Sequence, residues 1–298
     1  MKTSRIFFIH IFNLLTRENM RSLKTIIRSN YKWLLFLVLL SYGSLASEFI
    51  NHRFEMADLE VYYKTAWRMI EGEGIYRDVE SDPYEHYVYK YSPPAAILFM
   101  PLATAGFPAA RHIYWALLTF IFGSVLYNMK TIFNRPFLRK ENVTFSLILA
   151  TLVVGTHFFR ELHLGQVNLL LLGIYIYALF LYLSGKHAGF GALLAVSIFI
   201  KPFGLIFLPL LLVRRRFREV LWFVGWSVVL FFLPLFFYHD PGTFKGLYVS
   251  WFNEMAIELG NKQSFLEPGN HTIFAVLVRY SPLRWIQMGE TGKLIYQL

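Results

Sequence analysis

Ala188-Gly189-Phe190-Gly191-Ala192-Leu193-Leu194-Ala195-Val196-Ser197-Ile198-Phe199-Ile200-Lys201-Pro202-Phe203-Gly204-Leu205-Ile206-Phe207-Leu208-Pro209-Leu210-Leu211-Leu212-Val213 is an apolar run of 26 residues with one charge inside it. Its length exceeds the roughly 20 residues that an α-helix needs to cross the hydrocarbon of a bilayer. Its interior is nevertheless broken. Proline removes a helix hydrogen bond and biases the residue before it away from helix, while a lysine at bilayer depth is costly unless it lines a cavity or reaches an edge. A turn is therefore expected at Lys201-Pro202, giving two short helical segments, 188–200 and 203–213.

The rest of the chain fits this reading. Of its 298 residues 56% are hydrophobic, 18% aromatic and only 16% charged, with mean hydropathy +0.44. Soluble domains carry about 25% charged residues, so the composition is that of a membrane protein. Further apolar stretches lie at about 33–49, 109–129, 143–159, 167–184 and 218–237, with a shorter one at 95–107. The expected fold is all-α, a polytopic bundle of about seven or eight spans forming one domain over residues 1–298. The formal charge of +10 is read as the positive-inside bias, because no aromatic-basic RNA motif or zinc-finger spacing accompanies it. No nucleic-acid partner is expected. With no cysteine, disulfide, thiol and zinc-thiolate chemistry are excluded.

Lysine and arginine in short loops decide the threading. If 95–107 is a re-entrant or surface helix, segments 1–32, 128–142, 185–187 and 214–218 share one side and hold 16 of the 29 basic residues. That side is assigned to the cytoplasm, and the protein to the inner, cytoplasmic membrane of a cell. The other side then carries a first outer loop with juxtamembrane helices, 50–107, the turn Arg160–Asn168, the Lys201 break and an outer loop at 238–270. A cleaved signal peptide is a poor reading of the basic N-terminus, since its polar lead is long and many spans follow.

Residues 50–92 contain nine of the nineteen carboxylates and seven of the eighteen tyrosines. Residues 57–71 lack glycine and proline and stop at Glu71-Gly72-Glu73-Gly74, so they are expected to form a short helix with Asp58 in its first turn and Tyr62 on the same face. Asp58 suits two roles there, a cap on the helix start or a general base at the lipid boundary. Tyr63, together with Tyr89 and Tyr91 of the stretch Tyr89-Lys90-Tyr91-Ser92-Pro93-Pro94, is read either as lining the same outer cavity or as part of an interfacial aromatic belt.

Gly165-Gln166-Val167-Asn168 opens an apolar segment with two amides and a helix N-terminus, which attracts phosphate or sugar oxygens through its N–H groups. An ordinary helix cap is the other reading. His163 lies just before it. Lys201 suits a phosphate head group, with Arg160 or Arg279 as a second cation, or else it snorkels to the interface. Gly269-Asn270-His271-Thr272 begins the apolar stretch that contains Arg279. No P-loop, dinucleotide fingerprint, nucleophile elbow or His/Cys metal spacing occurs, so nucleotide chemistry is not indicated.

Asp58-Leu59-Glu60-Val61-Tyr62-Tyr63, Tyr-x-Tyr-Ser-Pro-Pro, Gly-Gln-Val-Asn, Ile200-Lys201-Pro202 and Gly-Asn-x-Thr before Arg279 follow one another in a set order. Together they resemble the GT-C type glycosyltransferases, and more narrowly the bacterial polyprenol-phosphate-mannose-dependent alpha-mannosyltransferases. The resemblance implies a GT-C-like helical enzyme whose site faces the periplasm or exterior. It implies a polyprenyl-phosphate sugar donor and a glycolipid or glycan acceptor, both met at the membrane lipid. Asp58 matches the family's first-loop aspartate, the base that deprotonates the acceptor. Lys201, Gln166, Asn168 and Arg279 would receive the departing phosphate, with Tyr62, Tyr63, Tyr89, Tyr91, His163 and Asn270 around the substrates, and the anomeric carbon would invert.

Two departures accompany the resemblance. Many relatives have Asp-x-Asp and some bind a divalent metal. Here the pair is Asp58 and Glu60, which diverge by roughly 200° on a helix, so they are not expected to grip one ion together and no cofactor is assigned, a divalent metal being left open. Relatives also continue through further spans, which leaves open whether a chain ending at Leu298 has a complete lipid-tail groove. Two readings from other classes stand beside the enzyme: a lipid or sugar transporter or flippase, since broken helices with a mid-membrane lysine also mark transport sites, and a noncatalytic assembly subunit.

Overall fold

The computed structural model describes residues 17–76, 88–133 and 143–260. Every regular element among them is helical. In chain order these are α1 (Arg17–Ile50), α2 (Ala57–Glu71), α3 (Pro93–Ile97), α4 (Met100–Ala103), α5 (Phe107–Phe133), α6 (Val143–Leu164), α7 (Asn168–Leu183), α8 (His187–Ile200), a 3-10 turn (Pro202–Ile206), α9 (Phe207–Val213), α10 (Phe217–Phe232), a second 3-10 turn (Leu233–Phe236) and α11 (Pro241–Gly260). Asn270 and Arg279 lie outside the described residues. Residues 1–248 form one compact unit and 249–298 a second, of which the last turns of α11 are described.

Close helix contacts are made at glycines, as expected where lipid supplies no hydrophobic force between helices and backbones must approach. A Cβ at Gly191 would lie 2.7 Å from the Phe223 nitrogen, which sets α8 directly on α10, and one at Gly173 would lie 2.6 Å from Ile121 Cγ2, which sets α7 on α5. Gly123 leaves its space to Leu37, joining α5 to α1. The opposite faces are exposed and apolar: Leu152, Val213, Leu221 and Phe236 all project from the bundle. These faces make the chain a membrane protein.

By length and composition two helices, Phe107–Phe133 and Phe217–Phe236, can cross a bilayer, or three if the pair His157–Leu164 and Asn168–Leu183, bent by 118°, counts as one broken span. The apolar runs at 167–184, 188–200 and 203–213 fold as helices of 16, 14 and 7 residues. Each is shorter than the roughly 20 residues of a perpendicular crossing. Seven or eight full-length spans are therefore not what these helices supply among the described residues.

The break at Lys201 falls where proline requires it. α8 stops at Ile200, Lys201 is extended (φ −144°, ψ 134°), and the 3-10 turn begins at Pro202. Gly204 then tucks against the Ser197 side chain, so the chain folds back on the last turns of α8. The stretch 95–107 forms no span. Prolines at 93, 94 and 101 start two short helices, and Gly106 (φ 75°) resets the backbone before α5. Within the expected outer loop at 238–270 the described part is largely the 20-residue helix α11.

Candidate active site

α2 occupies 57–71, the limits expected from the sequence, and ends on Gly72 in the left-handed conformation (φ 76°). At its start the residue in the cap position is Met56 (φ 54°), with no side-chain capping bond. Asp58 therefore does not cap the helix. The Met56 nitrogen donates to the His163 carbonyl at 3.2 Å, tying the start of α2 to the end of α6. Gly165 (φ 69°) makes the close approach possible, because a Cβ there would stand 2.9 Å from Leu59 Cβ. The α6–α7 bend is thereby pressed against the turn that carries Asp58.

A polar network results. The Asp58 carboxyl faces the Gln166 side chain, close enough for that amide to lower its pKa. Gln166 Oε1 accepts from Asn168 Nδ2 at 2.8 Å, and Asn168 Oδ1 accepts from the Lys201 ammonium at 2.6 Å. Three segments far apart in sequence are joined in this way: the start of α2, the α6–α7 bend and the α8 break. Asp58, Gln166, Asn168 and Lys201 are each only partly buried, so a bound molecule can reach them. Burial raises the Asp58 carboxyl above its ordinary value of 3.8, against the Gln166 amide and the charges of Lys201, Lys90 and Arg160, which lower it. Burial likewise lowers the Lys201 ammonium, opposed by Glu161 and Asp58.

Sequence reasoning does not single out Glu161. Its Oε1 accepts from Asn168 Nδ2 at 2.8 Å and its Oε2 from the Leu169 nitrogen at 3.2 Å. The carboxylate thus occupies part of the α7 N-terminus, which corrects the expectation of a free helix end waiting for phosphate. No local pattern marks this role, because the partners lie seven and eight residues on, across a bend. Tyr114, also not foreseen, donates to the Gln166 carbonyl at 3.1 Å and steadies the same bend.

The aromatic residues divide. Tyr62 and Tyr91 belong to the network: their hydroxyls lie 3.2 Å apart, and the Lys201 ammonium sits 6.0 Å from the Tyr91 ring centroid. Burial pushes the Tyr91 hydroxyl up to about 12, so it stays a neutral donor. Tyr89 takes a structural place beside them. It is buried, and its hydroxyl donates to the Ser92 carbonyl at 3.2 Å, while Ser92 Oγ donates to the Phe199 carbonyl at 2.5 Å. This clasp fixes the Tyr-Ser-Pro segment beside the Lys201 break. Tyr63 faces elsewhere, with its ring 5.3 Å from that of Phe107. His163 is also outside the network, its Nδ1 lying 2.7 Å from the Arg53 carbonyl and 3.1 Å from Glu48 Oε2. Among the described residues no three of His, Cys, Asp and Glu gather as a metal site.

Chemically, one group of this network can take a proton and another can receive an anion, a division of labour that serves group transfer at a bilayer surface. The class is that of a membrane enzyme. Residues 89–295 match Glycosyltransferase family 87, and the chain belongs to that family. It is a glycosyltransferase, which sets aside the transporter and noncatalytic readings. No curated protein and no solved structure matches the chain. The family match includes Gln166, Asn168 and Lys201 but begins after Asp58 and Tyr62, whose association with the site comes from geometry.

Proposed function

We propose that the enzyme moves a hexose, mannose in the first instance, from a polyprenyl-phosphate donor to a lipid or glycan acceptor on the extracytoplasmic side of the cytoplasmic membrane, with inversion at the anomeric carbon. The observation that carries this reading is the convergence of Asp58 on the Gln166–Asn168–Lys201 chain of hydrogen bonds, close enough for Gln166 and Lys201 both to lower its pKa. The sugar lies between Asp58 and Lys201. The acceptor hydroxyl loses its proton to Asp58 as its oxygen bonds to the anomeric carbon, and the bond from that carbon to the phosphate oxygen breaks. Polyprenyl phosphate leaves as an anion beside Lys201, whose ammonium has donors beyond the one given to Asn168. The protonated Asp58 then returns its proton to water.

The raised Asp58 carboxyl supports the base role, since a more basic carboxylate extracts a hydroxyl proton more readily. A phosphate leaving group is already a stable anion and needs electrostatic reception more than protonation. Asn270 and Arg279 remain part of the proposal as further substrate and donor contacts on the strength of the resemblance alone. The test is transfer by the purified protein from polyprenyl-phosphate mannose to a membrane glycolipid, beside a nucleoside-diphosphate mannose. Transfer from the lipid donor alone, with an inverted product, is expected. Turnover of the nucleotide sugar in its place would refute the donor assignment.

A further inference from the structure

The end of α7 remote from Asn168 carries a second feature that glycosyl transfer leaves unused. A cavity of about 690 Å³ lies among α7, α8 and α9, with Leu179, Leu194 and Phe207 on its walls and Arg214, Arg215 and Arg216 at its rim. The three arginines are exposed. Arg218 follows them in the first turn of α10, and Lys186 lies in the α7–α8 turn at the same end of α7, whereas the carboxylate next to Arg218, Glu219, is buried and lies 3.1 Å from His187 Nδ1. The rim is therefore strongly positive.

The wall holds an independent sign of a ligand. Tyr175 is among the residues lining the cavity, and its buried hydroxyl finds no hydrogen-bond partner among the described residues. A buried hydroxyl left unpaired is costly, and an ester or phosphate oxygen that reached it from the cavity would pair it. Arg216 is held over the Tyr182 ring, 5.8 Å from its centroid. Arg215 takes a left-handed conformation (φ 54°) that ends α9 and turns the chain at the rim.

We infer that this cavity binds one anionic membrane phospholipid, with an acyl chain along the apolar walls and its phosphate at the arginines. Guanidinium forks match phosphate oxygens, and basic pockets between membrane helices on the cytoplasmic side accept anionic head groups. This site is distinct from the donor phosphate position. Fourteen residues of α7 separate Tyr182 from Asn168, about 21 Å at the helical rise. The bound lipid would brace the short helices α7, α8 and α9 without entering the reaction.

The experiment uses the full chain in neutral detergent, stripped of lipid and titrated with phosphatidylglycerol or phosphatidylcholine of identical chains, with bound lipid counted by native mass spectrometry. One phosphatidylglycerol per chain is expected, retained at least tenfold better than phosphatidylcholine. The double variant Arg214→Gln, Arg216→Gln should weaken that retention about tenfold. Leu179→Trp, which fills the cavity from its exposed rim without altering charge, should weaken it as well. Glycerol phosphate in excess should not compete. Equal retention of the two lipids, or unchanged retention in both variants, overturns the inference, and displacement by glycerol phosphate would show a free-phosphate site instead. Gel-filtration profile and Tm of each variant separate lost binding from lost folding.

Discussion

Two half-buried carboxylates converge on the same pair of amides, and they are held very differently. Glu161, at the α6–α7 bend, is bonded to the Asn168 side chain and to the Leu169 backbone. Asp58, at the start of α2, meets the Gln166 side chain, and burial raises its pKa. Glu161 closes a helix end and is committed to structure. Asp58 neither caps its helix nor closes the bend, which leaves it available for a proton. Proximity to a network does not identify the reactive member; the bonds already made by each group do.

The sharpest way to break this contrast is to neutralise each carboxylate in turn. Asp58→Asn is expected to lower turnover by about 10²–10⁴-fold, the usual worth of a general base, without lowering stability at neutral pH. The sign follows from linkage. A carboxyl whose folded pKa is raised contributes stability that is present below its unfolded pKa and lost as pH rises through the folded one, so at neutral pH the substitution removes a cost. Glu161→Ala should do the reverse, costing about 1–3 kcal/mol by orphaning buried partners, with a smaller fall in turnover per folded molecule. Thermal unfolding and initial rates of both variants check the pair.

Gly165→Ala tests the join between the two regions. A side chain at φ 69° that also meets Leu59 should cost about 1–3 kcal/mol and lower turnover by displacing Asp58, measured by the same two assays. Lys201→Gln sharpens the electrostatic half. The rate should fall as pH drops through the raised Asp58 value, and removing a charge that lowers that value should move the acidic limb to higher pH. The smallest effect is expected from Tyr62→Phe, which deletes one hydroxyl contact to Tyr91 and should cost about 0.5–1.5 kcal/mol.

Much of this is legible in the chain. The limits of α2 follow from an uninterrupted stretch closed by Gly72, and the α8 break from Pro202. Lys201, Gln166, Asn168 and Asp58 stand out as polar residues in apolar or terminal settings, and the structure brings them together. Glu161 does not stand out, because its partners are reached only once the chain bends by 118°. Tyr89 resembles Tyr91 in sequence and their rings pack edge-on 5.7 Å apart, so spacing alone does not show that the Tyr89 hydroxyl is spent on the Ser92 carbonyl while Tyr91 reaches Tyr62. Helix α11 escapes notice because its glycines and polar residues dilute the apolar signal that separates span from loop.

The most direct test of the central claim compares Asp58→Asn and Lys201→Gln for both donor affinity and single-turnover rate with polyprenyl-phosphate mannose. Asp58→Asn should bind the donor as the natural enzyme does and fail to transfer, whereas Lys201→Gln should bind it more weakly. Full transfer by Asp58→Asn, or unaltered donor affinity in Lys201→Gln, would contradict the division of roles between the two ends of the network.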